Sequence, residues 1–199
     1  MSEDGKDNSR RNFLIGATGV VGAAGAVGAA IPFVASWNPS AKARAAGASI
    51  KVDISSLRPG EILGPFPEWR GQPIFIVRRT EETLQNIAKL NDAVADPQSQ
   101  RESQQPSYAQ NEYRSRKPEI LVIVGICTHL GCSPKVRIKA EPAPFDENWL
   151  GGFFCPCHGT LFDLAGRVYS GFPAPSNMLV PPHYYETENV IVIGEEEMS

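Results

Sequence analysis

Two short stretches, CTHLGC at 127–132 and CPCHGT at 155–160, hold all four cysteines of the chain and two of its three histidines. Thiolate sulfur and imidazole nitrogen are the protein donors that bind zinc, copper and iron–sulfur groups. A chain of 199 residues can bury a core without covalent or metal crosslinks, so the cysteines are not needed as a scaffold. Their clustering therefore indicates one local site. The candidate donors are Cys127, His129, Cys132, Cys155, Cys157 and His158.

Several kinds of site could use these residues. Two ordinary disulfides would leave both histidines without a role, and thiol catalysis would rest on the Cys155-x-Cys157 pair alone. Zinc accepts two cysteines and two histidines, but its usual spacings pair Cys with Cys and His with His. A [2Fe–2S] cluster can take two thiolates on one iron and two imidazoles on the other. Only this last hypothesis uses all six residues, because it leaves one cysteine in each stretch, and in an exported protein these two can form a disulfide.

The N-terminal residues indicate an exported protein. Arg10 and Arg11 precede Asn12-Phe13-Leu14, and this pattern resembles a twin-arginine export signal, a route that carries proteins already folded around a cofactor. No charged residue occurs from 13 to 36. A helix of that length reaches about 36 Å, enough to cross a ~30 Å hydrocarbon core.

We therefore predict three N-terminal segments. Residues 1–12 form a cytoplasmic N-terminus, residues 13–37 a transmembrane anchor, and residues 38–49 a flexible linker rich in Ala, Gly and Ser. The arginines on the N-terminal side place everything after the anchor outside the cytoplasm. The alternative is a signal peptide cleaved near 41–45, where small residues allow cleavage.

The head, residues 50–199, is predicted to be mostly β. Short β-branched or alternating runs separated by Pro and Gly are typical of an antiparallel sheet domain. One helix is predicted over 81–95 from the spacing of its apolar residues, and the polar stretch 96–117 is interpreted as a surface insertion. The predicted strands include 49–55, 73–79, 119–126 and 189–194.

The charge of the head argues against a nucleic-acid partner. It carries 14 Lys and Arg against 19 Asp and Glu, and no basic stripe interleaved with aromatic residues is present. The third histidine, His183 in PPHYY, is predicted to lie on a surface turn because of its neighbouring prolines.

Both cysteine-containing stretches resemble the cluster-binding motifs of Rieske iron–sulfur proteins, in the subgroup whose two loops are joined by a disulfide. Further segments extend the resemblance over nearly the whole chain: DISSLRPGE, RGQPIFIVRRT, KPEILVIVGICTHLGCSP and FDLAGRVYSGFPAPSNMLVPP. With the anchor, they are most similar to the Rieske subunits of bacterial cytochrome bc complexes. The resemblance implies an antiparallel β-sandwich-type head, a small cluster-binding part at about 125–176 and one [2Fe–2S] cluster per subunit.

The resemblance also implies roles for single residues. Leu130 would help to shield the cluster, and Gly171 and Pro173 belong to a proline-rich loop, GFPAP, that covers its third side. A ligand imidazole that reaches solvent can accept a proton when iron takes an electron, so His129 and His158 are both candidates for the catalytic proton acceptor. The implied metal ligands are Cys127, His129, Cys155 and His158, with a disulfide between Cys132 and Cys157.

The implied activity is electron transfer in a quinol–cytochrome c oxidoreductase. The head would accept one electron from quinol near a cytochrome b subunit and swing to a c-type cytochrome subunit. The implied setting is a dimeric complex in the cell inner membrane, with the head in the periplasm. An alternative is the Rieske small subunit of a periplasmic arsenite-oxidase-type molybdoenzyme. A soluble Rieske ferredoxin would lack the anchor and the two extra cysteines, and a structural zinc protein is the remaining alternative.

Two positions in the second stretch depart from the family pattern. Where the family has Ser and, two residues later, Tyr, this chain has Thr160 and Phe162. Hydroxyl groups at these positions donate hydrogen bonds to sulfur, which favours the reduced state and raises the reduction potential. Because Phe162 has no hydroxyl, we predict a lower potential than in members that have Tyr there.

Overall fold

The structure is a computed structural model that describes residues 4–40 and 47–196. By its internal contacts the chain divides into two compact units, Met1–Ala45 and Ala46–Ser199. The first unit contains one long helix, and the second contains all the strands and both cysteine-containing stretches.

The helix of the first unit, α1, spans Asp4–Ala35. Its portion Asn8–Ala35 is 28 residues long and reaches a mean hydropathy of 1.9, so by length and composition it could cross a membrane. The helix begins before the predicted anchor at residue 13, because the polar residues ahead of the apolar run also adopt helical geometry. The predicted cleavage region, 41–45, lies outside the described residues.

The described residues of the second unit form ten strands in three antiparallel sheets, which confirms the predicted mostly-β head. The first sheet has the order β1-β10-β9, the second has the order β2-β4-β3 with β5 also paired to β4, and the third has the order β6-β7-β8. The strands are β1 Ile50–Asp53, β2 Ile62–Leu63, β3 Glu68–Trp69, β4 Gln72–Arg78, β5 Ile120–Val124, β6 Lys135–Arg137, β7 Gly152–Phe154, β8 Leu161–Asp163, β9 His183–Thr187 and β10 Val190–Ile193.

The β4–β5 pair forms the centre of the head and leads into the first cysteine-containing stretch. All five residues of β5 are buried, which explains its continuous apolar sequence. Leu121 and Ile123 on one face pack in the core that contains the free cysteines, whereas Val122 and Val124 on the other face pack in a second core. Because β5 ends at Val124, the chain leaves this rigid pair three residues before Cys127.

The second helix, α2 (Glu81–Lys89), is shorter than the predicted 81–95. At Leu90 the backbone leaves helical geometry, with φ −89° and ψ 3°. Val94 then forms a β-bridge with Tyr169. Pairing with a distant part of the chain thus replaces the last helical turns, which the local spacing of apolar residues could not reveal.

The interpretation of 96–117 as a surface insertion is wrong. The segment contains two short 3-10 turns, Glu102–Gln104 and Ser107–Ala109. Ala109 and Arg114 are both fully buried. Its polar composition suggested exposure, but several of its polar groups are used for hydrogen bonds inside the head.

The prediction that His183 lies on a surface turn is also wrong, because its side chain is fully buried in β9. Its Nδ1 lies 2.8 Å from the Pro181 carbonyl oxygen and 3.1 Å from Tyr108 Oη. Its Nε2 is buried and has no hydrogen-bond partner among the described residues. Burial is the largest cause that lowers the pKa of His183, to about 4, since a charged imidazole is poorly solvated there.

We expect the head to lose stability through His183 as the pH falls from about 6.5 to about 4. In that interval the unfolded chain binds a proton on this residue and the folded chain does not, so stability rises with pH and the full contribution is present above it. The pKa difference corresponds to roughly 3 kcal/mol. The neighbouring Tyr108 and Tyr185 stay neutral in this range because burial raises their pKa values, and the nearby cation of Arg116 opposes protonation throughout.

Thermal unfolding of the wild type and of His183→Asn between pH 4 and 7 checks this expectation. Asparagine can still donate to the Pro181 carbonyl but does not titrate. The variant should show a flatter dependence of unfolding temperature on pH, and equal slopes for both proteins would contradict the assignment.

Candidate metal centre

The two cysteine-containing stretches fold into matched turns. In the first turn the Gly131 N–H donates a hydrogen bond to the Cys127 carbonyl, and in the second the Gly159 N–H donates to the Cys155 carbonyl, both at 3.0 Å. The N–H of each of these cysteines donates to the carbonyl five residues later, in both turns at 2.8 Å. The glycines have φ angles of 82° and 77°, a left-handed conformation that glycine adopts without a Cβ clash. Each turn is therefore closed on its first cysteine.

A disulfide between Cys132 and Cys157 joins the two turns, as predicted. The remaining cysteines, Cys127 and Cys155, are free and buried. The sulfur atoms of Cys132, Cys155 and Cys157 lie within 4.8 Å of one another. Because two of these sulfurs are bonded to each other, the three do not form a set of thiolate ligands. Their closeness instead places the disulfide beside the Cys155 thiol.

The imidazole rings of the two histidines in these turns lie in contact, edge to face. The ring centroids of His129 and His158 are 4.6 Å apart, and the ring planes meet at 82°. His129 is half-buried and its Nδ1 is fully buried without a hydrogen-bond partner among the described residues. A buried nitrogen without a partner costs free energy unless another group satisfies it. His158, in contrast, is exposed.

These donors fit a [2Fe–2S] group. The site offers two free thiols and two imidazoles, the ligand set of such a cluster in Rieske centres. The buried Nδ1 of His129 is available as a ligand atom, because no described protein group occupies it. Thr160 Oγ1 is a second buried atom without a hydrogen-bond partner among the described residues. The Thr160 hydroxyl lies close enough to the Cys127 thiol to lower its pKa, but the contact does not meet hydrogen-bond geometry.

The Cys127 thiol is held in its protonated form by its surroundings. Burial raises its pKa most strongly, and the neighbouring Cys155 raises it further. The backbone N–H of His129 and the Thr160 hydroxyl act in the opposite direction. A metal that binds this thiol must therefore displace its proton, so binding releases protons to solvent.

Two further predicted site residues, Thr160 and Phe162, are fully buried. Phe162 lies in β8 opposite Phe153, and both rings belong to the core that also contains Cys127 and Cys155. A hydroxyl on the ring of residue 162 would therefore be buried in the core that contains the free thiols.

The other predicted residues lie at the surface. Gly171 and Pro173 are exposed, and Phe172 between them is 37% exposed. Leu130 is 71% exposed, and its shielding role stays a prediction. None of these exposed residues carries a charge.

One contact that holds the site together was missed by the sequence analysis. Thr128 Oγ1 donates a 2.6 Å hydrogen bond to the Ser176 carbonyl. It ties the first turn to the residue that directly follows the proline-rich GFPAP segment. Within that segment Ala174 is buried in the same core as the free cysteines. The position of Thr128 between Cys127 and His129 was the only sequence signal for this role.

Comparisons with known proteins agree with this geometry. The model of the Rieske [2Fe-2S] domain matches residues 101–184, and the model described as "Ubiquitinol-cytochrome C reductase Fe-S subunit TAT signal" matches residues 1–40. The chain is 50% identical over 199 residues to the ubiquinol-cytochrome c reductase iron-sulfur subunit of Allochromatium vinosum, covering 100% of this chain and 95% of that protein.

Two further relatives carry the same name. The protein of Bradyrhizobium diazoefficiens is 40% identical over 187 residues, covering 94% of this chain and 94% of the relative. That of Blastochloris viridis is 41% identical over 194 residues, covering 97% of this chain and 97% of the relative.

These similarities span the N-terminal helix, the β head and both turns. The domain match and the donor set confirm the predicted cofactor, one [2Fe–2S] cluster. The apolar helix α1 and the match to an export signal fit a membrane-anchored subunit. On this evidence the chain belongs to the Rieske iron–sulfur subunits of ubiquinol–cytochrome c reductases.

Proposed function

We propose that this chain takes one electron from a quinol at a cytochrome b site and passes it to a c-type cytochrome. We further propose that Cys127 and Cys155 bind one iron of the cluster and that His129 and His158 bind the other. The observation that carries the proposal is the pair of facing turns, joined by a disulfide, that brings two free thiols and two imidazoles together. When bound, the cluster supplies a one-electron carrier with a potential between about −150 and +300 mV.

His158 is the better placed of the two histidines to accept a proton from quinol. Its side chain is exposed, whereas His129 is half-buried. An imidazole nitrogen that reaches solvent can hydrogen-bond a quinol hydroxyl and accept its proton. His158 is therefore assigned to proton acceptance, and His129 to binding the same iron.

The exposed surface around His158 suits reversible docking on a cytochrome b subunit. Leu130 and Phe172 are exposed, and neither 127–132 nor 171–175 contains a charged residue. Docking there removes apolar surface from water without desolvating a charge. A small interface of this kind releases quickly, so the same head could then reach the c-type cytochrome of a dimeric complex.

We also propose that α1 anchors the protein in the inner membrane with the head in the periplasm. Arg10 and Arg11 lie on the N-terminal side of the apolar run, which favours a cytoplasmic N-terminus of residues 1–12. Residues 38–49 then form the linker to the head. Mass spectrometry of the mature protein tests the anchor: an intact N-terminus is expected, and a chain beginning near residue 44 would contradict it.

A redox titration monitored by EPR, on the protein purified in its membrane complex, tests the function. We expect a reduced [2Fe–2S] signal of Rieske type, co-purifying haem, and quinol-dependent reduction of cytochrome c. His158→Gln should abolish the signal and the turnover, and the matched control His183→Asn should keep both. Zinc in place of iron would contradict the cluster, and co-purification with molybdenum instead of haem would favour the arsenite-oxidase-type alternative.

Phe162→Tyr is expected to raise the reduction potential. A buried phenol hydroxyl near the cysteine sulfurs would favour the reduced state by about 1 to 1.4 kcal/mol, which corresponds to roughly 40–60 mV. The same titration measures it. Phe145→Tyr adds a hydroxyl in a separate aromatic cluster and should leave the potential unchanged. Equal potentials for Phe162→Tyr and the wild type would contradict the explanation.

A further inference from the structure

The head buries more positive than negative charge. Among the described residues, the buried charged side chains are three arginines and one aspartate, each at most 2% exposed: Arg79, Arg114, Arg167 and Asp163. Only Arg167 forms a buried ion pair, with its Nε 2.8 Å from Asp163 Oδ2. Two guanidinium groups are therefore left without a carboxylate partner, although burying an unpaired charge is unfavourable.

Arg79 and Arg114 direct their N–H groups at neutral oxygens instead. These oxygens accept from most of the donors but do not cancel the charge, and the buried Nε of Arg114 has no hydrogen-bond partner among the described residues. For Arg79 they are the carbonyls of Pro118, Tyr113 and Leu164, at 2.7, 2.9 and 3.1 Å, and Ser115 Oγ at 2.7 Å. For Arg114 they are the carbonyls of Ala165, Gly166 and Gln104, at 3.2, 3.3 and 3.0 Å, and Gln105 Oε1 at 3.1 Å.

Two acceptors of these arginines belong to residues of the core that contains the free thiols. Leu164 and Ala165, whose carbonyls accept from them, pack in the same core as Cys127 and Cys155. The two arginines come from distant parts of the sequence, one directly after β4 and one from the segment 96–117. Both donate to the same short stretch of backbone, 164–166, which explains why that polar segment is folded into the head.

The separation is short enough for a charge to act. Leu164 and Ala165, whose carbonyls bond these arginines, follow Thr160 by four and five residues, and Thr160 lies against the Cys127 thiol. Their backbones therefore lie at most about 14–18 Å from Thr160. Across about 15 Å of protein interior, a unit charge still changes a redox equilibrium severalfold. Salt screens such a buried charge much less than a charge at the surface.

We propose that the buried charges of Arg79 and Arg114 raise the reduction potential of the [2Fe–2S] cluster. They act through space on the negative charge that reduction adds, without touching the cluster. They supply part of the stabilisation that a hydroxyl at residue 162 would otherwise give. The inference rests on the cluster ligands assigned under the proposed function.

Arg114→Gln and Arg114→Lys, each titrated by EPR in the membrane complex, separate charge from packing. The glutamine variant should lower the equilibrium constant for cluster reduction at least about threefold, or ~28 mV at ~59 mV per tenfold. The lysine variant is titrated at about pH 6, because burial lowers the pKa of a lysine there, and while its ammonium is charged it should match the wild type. Both lose hydrogen bonds, so the unfolding temperature should fall in both. Equal potentials in the two variants would assign Arg114 a structural role only and overturn the proposal.

Two further variants keep the test decisive if Arg114→Gln does not fold. Asp163→Asn removes the buried negative charge and should shift the equilibrium constant at least about threefold in the opposite direction, towards reduction. Gln105→Glu places a carboxylate beside Arg114 and should lower the potential while the arginine is retained. The proposal requires shifts of opposite sign, each following the sign of the charge change, so unchanged potentials in both variants would overturn it.

Two controls complete the experiment. Lys139→Gln removes an exposed charge and should leave the potential unchanged. The shifts caused by the buried variants should persist at about 1 M salt, and their disappearance there would contradict a buried origin. A Rieske signal and quinol turnover in the wild type, together with absent shifts, would refute this inference alone and leave the proposed function intact.

Discussion

Replacing Cys155 with alanine is expected to remove bound iron completely, whereas replacing Cys157 with alanine should leave iron measurable. Cys155 is a buried free thiol beside the paired histidines, and Cys157 is bonded to Cys132. A cluster that loses one of four ligands is not held, because the remaining donors cannot complete the coordination of its iron. Iron analysis of the purified variants, against two irons per chain in the wild type, measures the effect.

The two positions form a matched pair, since they lie in the same turn and differ only in role. Thiol titration of the unfolded, metal-free variants verifies the pairing. Cys155→Ala should expose one thiol, that of Cys127, and Cys157→Ala should expose three, because Cys132 is released. Two irons per chain retained in Cys155→Ala would refute the ligand assignment.

Replacing both Cys132 and Cys157 with serine is expected to lower the free energy of unfolding of the head by about 3.5 kcal/mol. The disulfide spans a sequence separation of 25 residues, and its removal returns that loop entropy to the unfolded chain. It also allows the two turns to move apart, so the contact between the rings of His129 and His158 is no longer held in place by a covalent link. Denaturant unfolding followed by the visible absorbance of the cluster measures both effects.

A thiol reductant provides the control for this prediction. Cys157 is exposed, so the disulfide of the wild type is accessible to reduction. The reduced wild type should approach the stability of the double variant, and the double variant itself should not respond to the reductant. Equal stability of the untreated wild type and the double variant would show that the disulfide does not stabilise the head.

Several features of the site could be predicted from sequence because they depend on local pattern. The matched turns depend on Gly131 and Gly159. Their left-handed φ angles allow each glycine N–H to bond the carbonyl four residues earlier. Four of the ten described strands, β1, β4, β5 and β10, followed from short apolar runs. The apolar run of β5 is continuous because both of its faces are covered. The apolar helix required only length and composition.

The wrong predictions concern polar residues whose partners lie far away in sequence. Composition placed the segment 96–117 at the surface, yet Arg114 is fully buried and donates to a carbonyl 51 residues later. His183 was assigned to a surface turn from its neighbouring prolines, but Tyr108, 75 residues earlier, covers it and accepts from its N–H. In both cases burial is decided by hydrogen bonds that no local window contains.

The sequence by itself determined the cofactor and the family of this protein, the grouping of its candidate ligands into two stretches, and the apolar helix. These are properties of residue type and short spacing, and folding does not alter them. The tertiary structure decided the exposure of each group. It left His158 at the surface with His129 half-buried, ended α2 at Lys89, and buried two arginines, Arg79 and Arg114, without a carboxylate partner. Exposure and electric field depend on which distant segments meet, and only the packed chain brings those segments together.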